Sequence, residues 1–156
     1  MMHRNETIRR CFRRIGIAAA ALGVALASSA FAHSYKFGDI EVGHLWAPPT
    51  SAASKTETDV YGPIFNSGKS GDRLLSATSP LAEKIEFRTG KDEAVAGAAI
   101  DLPPSKPVSL AAWGTHLRFI GLKHPLKEKD WVPLHLVFEN AGAHDVKVLI
   151  EAAPTH

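Results

Sequence analysis

The chain has 156 residues, of which 45% are hydrophobic and 22% charged, and its formal net charge is +2. It has one cysteine, so no disulfide can form within the chain. A slight positive charge on a chain of this size also leaves little basis for a nucleic-acid footprint, which needs a concentrated basic surface.

Residues 1–32 read as an export signal rather than as fold. Arg4, Arg9, Arg10, Arg13 and Arg14 form a positive leading region, and residues 15–27 are an apolar run of small side chains. Ala30-Phe31-Ala32 then matches a small-x-small cleavage site. The run is too short and too rich in alanine for a stable membrane anchor. Arg9-Arg10-Cys11-Phe12 also has the look of a twin-arginine signal, although Ile8 stands where that motif favours Ser or Thr, so Sec and twin-arginine export both stay open. Cleavage after Ala32 removes five arginines and one acid, Glu6, and turns the net charge from +2 to −2. The basic character therefore belongs to the leader, and neither nucleic acid nor an anionic membrane is an expected partner. Cys11 precedes the apolar run, so it is not placed as a lipid-bearing cysteine, and it leaves with the leader. Residues 33–156 are expected to form one monomeric domain in an oxidising compartment, held by an apolar core of sufficient size.

From residue 33 onward the pattern is a succession of short strands. Ile40 and Val42 alternate with polar neighbours. Val60-Tyr61 and Ile64-Phe65 lead into the turn signal Asn66-Ser67-Gly68-Lys69, and Leu74-Leu75 follow it. A short helical stretch is conceivable only at residues 79–83. Ile85 and Phe87 alternate with Glu86 and Arg88, and Val108 and Leu110 make another run. Next come Leu117 and Phe119, interleaved with His116, Arg118 and Ile120. Leu134, Leu136 and Phe138 alternate with His135 and Val137, Asn140-Ala141-Gly142 makes a turn, and Val146, Val148 and Ile150 close the series. Pro48-Pro49 end the first strand region, and Pro103-Pro104 with Pro107 frame a turn. This spacing of strands and turn signals predicts an all-β antiparallel sandwich or barrel.

Period-two geometry has a functional consequence. His116 and Arg118 share one face of their strand, while Leu117 and Phe119 take the opposite, core-facing side. The strand therefore presents an imidazole and a guanidinium together.

Several segments, in this order and spacing, resemble the periplasmic copper chaperones called PCu(A)C. They are Gly38-Asp39-Ile40-Glu41-Val42, His44-Leu45-Trp46-Ala47-Pro48-Pro49-Thr50 and Asp72-Arg73-Leu74-Leu75-Ser76-Ala77-Thr78-Ser79-Pro80. Further matches are Gly121-Leu122-Lys123-His124-Pro125-Leu126 and Leu136-Val137-Phe138-Glu139-Asn140-Ala141-Gly142. The resemblance implies a cupredoxin-like antiparallel β-sandwich that carries copper in the periplasm, towards a copper-accepting oxidase subunit or its assembly factor. It also implies a site of two histidines and two methionines. His116 matches the second histidine, but Arg118 stands where the family has methionine, and Arg88 aligns with the first histidine. No methionine lies between residues 94 and 100, and the only methionines are Met1 and Met2. Cu(I) favours thioether and imidazole donors, and arginine offers no lone pair, so the family's Cu(I) site is expected to be degenerate.

Other donors give alternatives. After cleavage, His33 would be the first residue, and its amine and imidazole, with His44, are candidate Cu(II) donors. Arg88 and Arg118 form a candidate anion-binding or docking patch, set against an ordinary charged surface in which they pair with Glu86 or Asp92. The remaining histidines are scattered without metal-ligand spacing, and Trp113 lies close enough in sequence to His116 to shield a site. No nucleophile elbow, cysteine nucleophile or phosphate loop occurs, so the chain is not read as an enzyme. Two readings stand: a copper-handling protein with a degenerate site, and a metal-free periplasmic docking module on the same fold.

Overall fold

A computed structural model describes residues 34–50, 56–90, 94–95 and 99–153. The expected leader, the cleavage site and His33 lie outside the described residues. Among the described residues there is no helix, and thirteen strands account for the regular structure. They are β1 Tyr35–Phe37, β2 Ile40–Val42, β3 Leu45–Ala47, β4 Glu57–Val60, β5 Gly62–Asn66, β6 Asp72–Thr78 and β7 Ala82–Thr89, followed by β8 Ala94–Val95, β9 Ile100–Leu102, β10 Lys106–Leu110, β11 Thr115–Leu122, β12 Trp131–Phe138 and β13 Gly142–Ile150. The segment at residues 79–83 is not helical: it turns at Pro80 and Leu81 and enters β7 at Ala82, as its proline and the pairing of Ala82 with Leu122 dictate.

Hydrogen bonding joins the strands in the orders β1-β2-β5-β10, β4-β11-β7-β8 and β3-β13-β12-β6-β9. All pairs are antiparallel except β3 with β13, where Val148, Leu149 and Ile150 run alongside Leu45, Trp46 and Ala47. β4 passes into β5 through Tyr61, whose backbone exchanges two hydrogen bonds with Trp46 at 2.9 Å. Gly62 follows at φ +142°, and a Cβ there would collide with the His44 carbonyl. A glycine at this junction lets one continuous chain leave one sheet and enter another while passing close to the backbone of β3.

The core follows the alternation. Val132, Leu134, Leu136 and Phe138 of β12 and Val146, Val148 and Ile150 of β13 point inward, and share one core cluster with Leu45 and Leu74 of their own sheet and with Ile40, Val42, Val60 and Ile64 of the other two. Burial of these side chains drives the assembly, each large aliphatic residue contributing roughly 1.5–3 kcal/mol on full burial. Two buried polar residues organise the loops at one end. Asn66 donates to the carbonyls of Ser70 and Leu102 and accepts from Gly68 N–H. Asp72 accepts from the backbone N–H groups of Arg73, Asn140 and Ala141, at 2.7 to 2.9 Å. Pro107, expected to frame a turn, instead lies inside β10 opposite Phe65. β10 is the last strand in its sheet, where a missing N–H is tolerated.

Candidate functional site

β11 carries two of the residues singled out by the sequence, His116 and Arg118. It lies between β4 and β7, and the registers place Asp59 and Glu86 on either side of Arg118, with Arg88 opposite His116. Three adjacent strands thus set the row Asp59–Arg118–Glu86 on one face, with His116 and Arg88 in the next row. Arg88 is the cross-strand neighbour of His116.

This face is not an open surface. His116 is 2% exposed and Arg118 9%, while Leu117 and Phe119 are buried on the opposite side as expected. Four consecutive residues are therefore buried, the signature of a strand covered on both faces. The docking patch anticipated for Arg88 and Arg118 meets a different environment in the fold, because both guanidinium groups are engaged by carboxylates. Arg118 holds Asp59 in a bidentate pair, Nε to Oδ1 at 2.6 Å and Nη2 to Oδ2 at 2.9 Å. Arg88 Nη2 lies 2.6 Å from Glu86 Oε2, and Lys84 Nζ lies 2.6 Å from Glu86 Oε1. The pairing of Arg88 with Glu86 is one of the two partnerships foreseen from sequence. Asp59 was not foreseen. Its only local signal is its place between Thr58 and Val60, both buried, in an alternating strand.

These contacts shift two titrations. The hydrogen bond from Lys84 is the largest cause holding the Glu86 carboxyl below the usual carboxylate range; burial opposes it, and the charges of Lys84 and then Arg88 add to the lowering. Burial, and then the nearby Asp59 carboxylate, raise the Tyr61 phenol above its ordinary value, with Arg118 opposing. The Tyr61 hydroxyl lies 3.4 Å from Asp59 Oδ2, its ring centroid is 6.0 Å from that of His116, and Trp46 packs against it at 5.0 Å.

His116 is held by one nitrogen only. Nδ1 is 3.1 Å from the Gly114 carbonyl and donates to it, which leaves the Nε2 lone pair of the neutral ring uncommitted. Nε2 is buried and has no hydrogen-bond partner among the described residues; Asp59 Oδ1 is 3.7 Å away.

The other histidines are separate. His44 Nε2 meets Glu151 Oε1 at 2.8 Å, and His135 Nδ1 meets Asp145 Oδ1 at 2.7 Å. His144 stacks on Phe37 at 3.8 Å and meets the Ala141 carbonyl at 2.8 Å. No group of three or more His, Cys, Asp or Glu residues able to hold a metal occurs among the described residues. Trp113 does not close over His116: it is 80% exposed, on the rim of an open groove of about 490 Å³ lined by Trp46, Tyr61, Pro63 and Leu110.

A soft copper site of two imidazoles and two thioethers does not fit these residues. One imidazole nitrogen is offered, no thioether stands among the described residues, and the position two residues along carries a fixed guanidinium.

Comparison with known proteins agrees with the fold and with the resemblance seen in the sequence. A family model described as putative lipoprotein LpqE-like matches residues 40–150. The putative lipoprotein Lxx21020 of Leifsonia xyli subsp. xyli is 26% identical over 155 residues, covering 91% of this chain and 90% of that protein. Among solved structures, the apo PCuAC domain from PmoF1 superposes with a TM-score of 0.71 at 25% identity, covering 78% of this chain and all (100%) of that domain. The copper-bound PCuAC domain from PmoF2 does so with a TM-score of 0.68 at 28% identity, covering 78% and 99%. The all-β sandwich and the PCu(A)C likeness expected from sequence both hold.

Proposed function

The chain belongs to the LpqE-like family of putative lipoproteins, and on that premise we propose that it is an exported envelope protein of the copper-handling, PCu(A)C-like class in which the family's Cu(I) position is degenerate. Residues 1–32 direct export to the periplasm by the Sec or twin-arginine route, and residues 33–156 act as one domain. The protein serves copper handling or the assembly of an oxidase copper site, with a copper-accepting oxidase subunit or assembly factor as partner. It does so without holding Cu(I) through the family's ligand set. Any copper it passes rests on nitrogen donors, with His33 and His44 as the Cu(II) candidates.

The observation that supports this reading is the bidentate contact of Arg118 with Asp59, at 2.6 and 2.9 Å, on the strand face where the family pattern has a thioether. Titration of the purified protein with Cu(I) against a chromophoric chelator is the test. The expected result is no tight one-to-one complex; such a complex, lost in His116→Ala, would overturn the reading.

A second reading, a metal-free docking module, is favoured by the exposed Trp113 beside its apolar groove. Metal analysis of protein purified from its own periplasm separates the two. Stoichiometric copper supports the first reading, and copper-free protein supports the second.

A further inference from the structure

We infer that Asp59 and Arg118 form a plug against cations, which keeps metal from an imidazole otherwise ready to accept one. The inference rests on the reading above, that Cu(I) is not held at this position, and names the residues responsible.

The imidazole is prepared. Gly114 fixes the ring through Nδ1, and Nε2 is buried and without a hydrogen-bond partner among the described residues; in the neutral ring that nitrogen carries the lone pair. A buried nitrogen left unsatisfied is costly and uncommon in folded proteins. The carboxylate nearby is committed elsewhere. Asp59 Oδ1 lies 3.7 Å from Nε2, too far for a hydrogen bond, while both of its oxygens are taken by Arg118. The guanidinium remains protonated at any pH the fold survives. A fixed positive charge therefore sits on the very carboxylate that flanks the imidazole, in a place shielded from water, where charges are little screened. Arg88, opposite His116, adds a second cation that Glu86 neutralises. The nearest polar atom to Nε2 is thus a carboxylate oxygen already held by a guanidinium, and it is not free to serve as a second donor to a metal ion.

Period-two geometry makes the inference testable. A methionine at 118 would project from the same strand face as His116 and supply a thioether. Asp59 must change with it, because a lone buried carboxylate would destabilise the fold. The double variant Asp59→Asn/Arg118→Met is titrated with Cu(I) and Ag(I) under chelator competition, and its melting temperature is followed with and without Ag(I). The expected result is at least tenfold tighter binding than the unaltered protein, with a rise in melting temperature, both abolished by adding His116→Ala. Should that pair not fold, Asp59→Thr/Arg118→Met places a strand-forming residue at 59 and repeats the test. A folded double variant that binds no more tightly than the unaltered protein overturns the plug and leaves the functional reading intact. Tight binding by the unaltered protein itself overturns both.

Discussion

Asp59 and Arg118, fifty-nine residues apart in sequence, face each other across the β4–β11 register and are joined by two hydrogen bonds of 2.6 and 2.9 Å. Their side chains are 21% and 10% exposed, so the pair is largely withdrawn from water. Such a pair adds little net stability over apolar residues of similar size, but breaking it leaves one buried charge without its counterpart.

Arg118→Met alone should therefore destabilise the protein by about 3 kcal/mol, because Asp59 is stranded. The double variant Asp59→Asn/Arg118→Met should recover most of that loss. Urea denaturation of the two variants measures the difference. Equal stabilities would mean that the pair is not the electrostatic unit its geometry indicates.

Tyr61 provides a pH signature of the same region. A phenol whose folded value is raised contributes stability that is complete below its unfolded value of about 10 and is lost as pH rises through the folded value. The chain has two tyrosines. Ultraviolet titration should show a phenolate transition above the ordinary range that disappears in Tyr61→Phe. In Asp59→Asn it should move to lower pH, since the carboxylate helps to raise it.

Glu86 works in the opposite sense. Its carboxyl is held below the usual range, so its contribution is present above the unfolded value and is lost as pH falls through the folded one. Lys84→Ala, which removes the largest cause of that shift, should bring the Glu86 titration back towards the ordinary carboxylate range. Carboxyl chemical shifts followed by NMR from pH 6 to pH 2 would report it, and an unchanged midpoint would contradict the assignment.

Asp72 is a structural carboxylate. It is 7% exposed and accepts three backbone N–H groups, tying the start of β6 to the β12–β13 turn. Asp72→Ala leaves those donors without their acceptor and should cost about 3 kcal/mol, on the scale of hydrogen bonds to charged groups. Chemical denaturation measures it, and hydrogen exchange should show faster opening at Asn140 and Ala141.

Gly62→Ala should cost roughly 3 kcal/mol or more. The φ of +142° disfavours any side chain there, and the added Cβ would meet the His44 carbonyl and approach Leu45 Cα to 3.1 Å. A melting temperature within a degree or two of the unaltered protein would show that the β4–β5 junction is far softer than its contacts indicate.

Much of the architecture was readable from side-chain alternation. The runs ending in Phe138 and Ile150, the turn at Asn66–Lys69 and the core-facing Leu117 and Phe119 follow from period two and turn chemistry. The parallel pairing of β3 with β13 was not readable, and neither was the role of Asp72. Each depends on which distant segment lies alongside, and local patterning carries no such information.

The candidate site divides along the same line. The amino-acid sequence by itself determined that His116 and Arg118 share a strand face, and that no methionine or cysteine stands among the described residues to soften the site. Only the tertiary structure decided that this face is buried, and that a carboxylate from β4 neutralises the arginine and borders the imidazole. The reason is that alternation assigns a residue to a side of its own strand, whereas burial and charge pairing are set by the neighbouring strand and its register, which long-range packing selects.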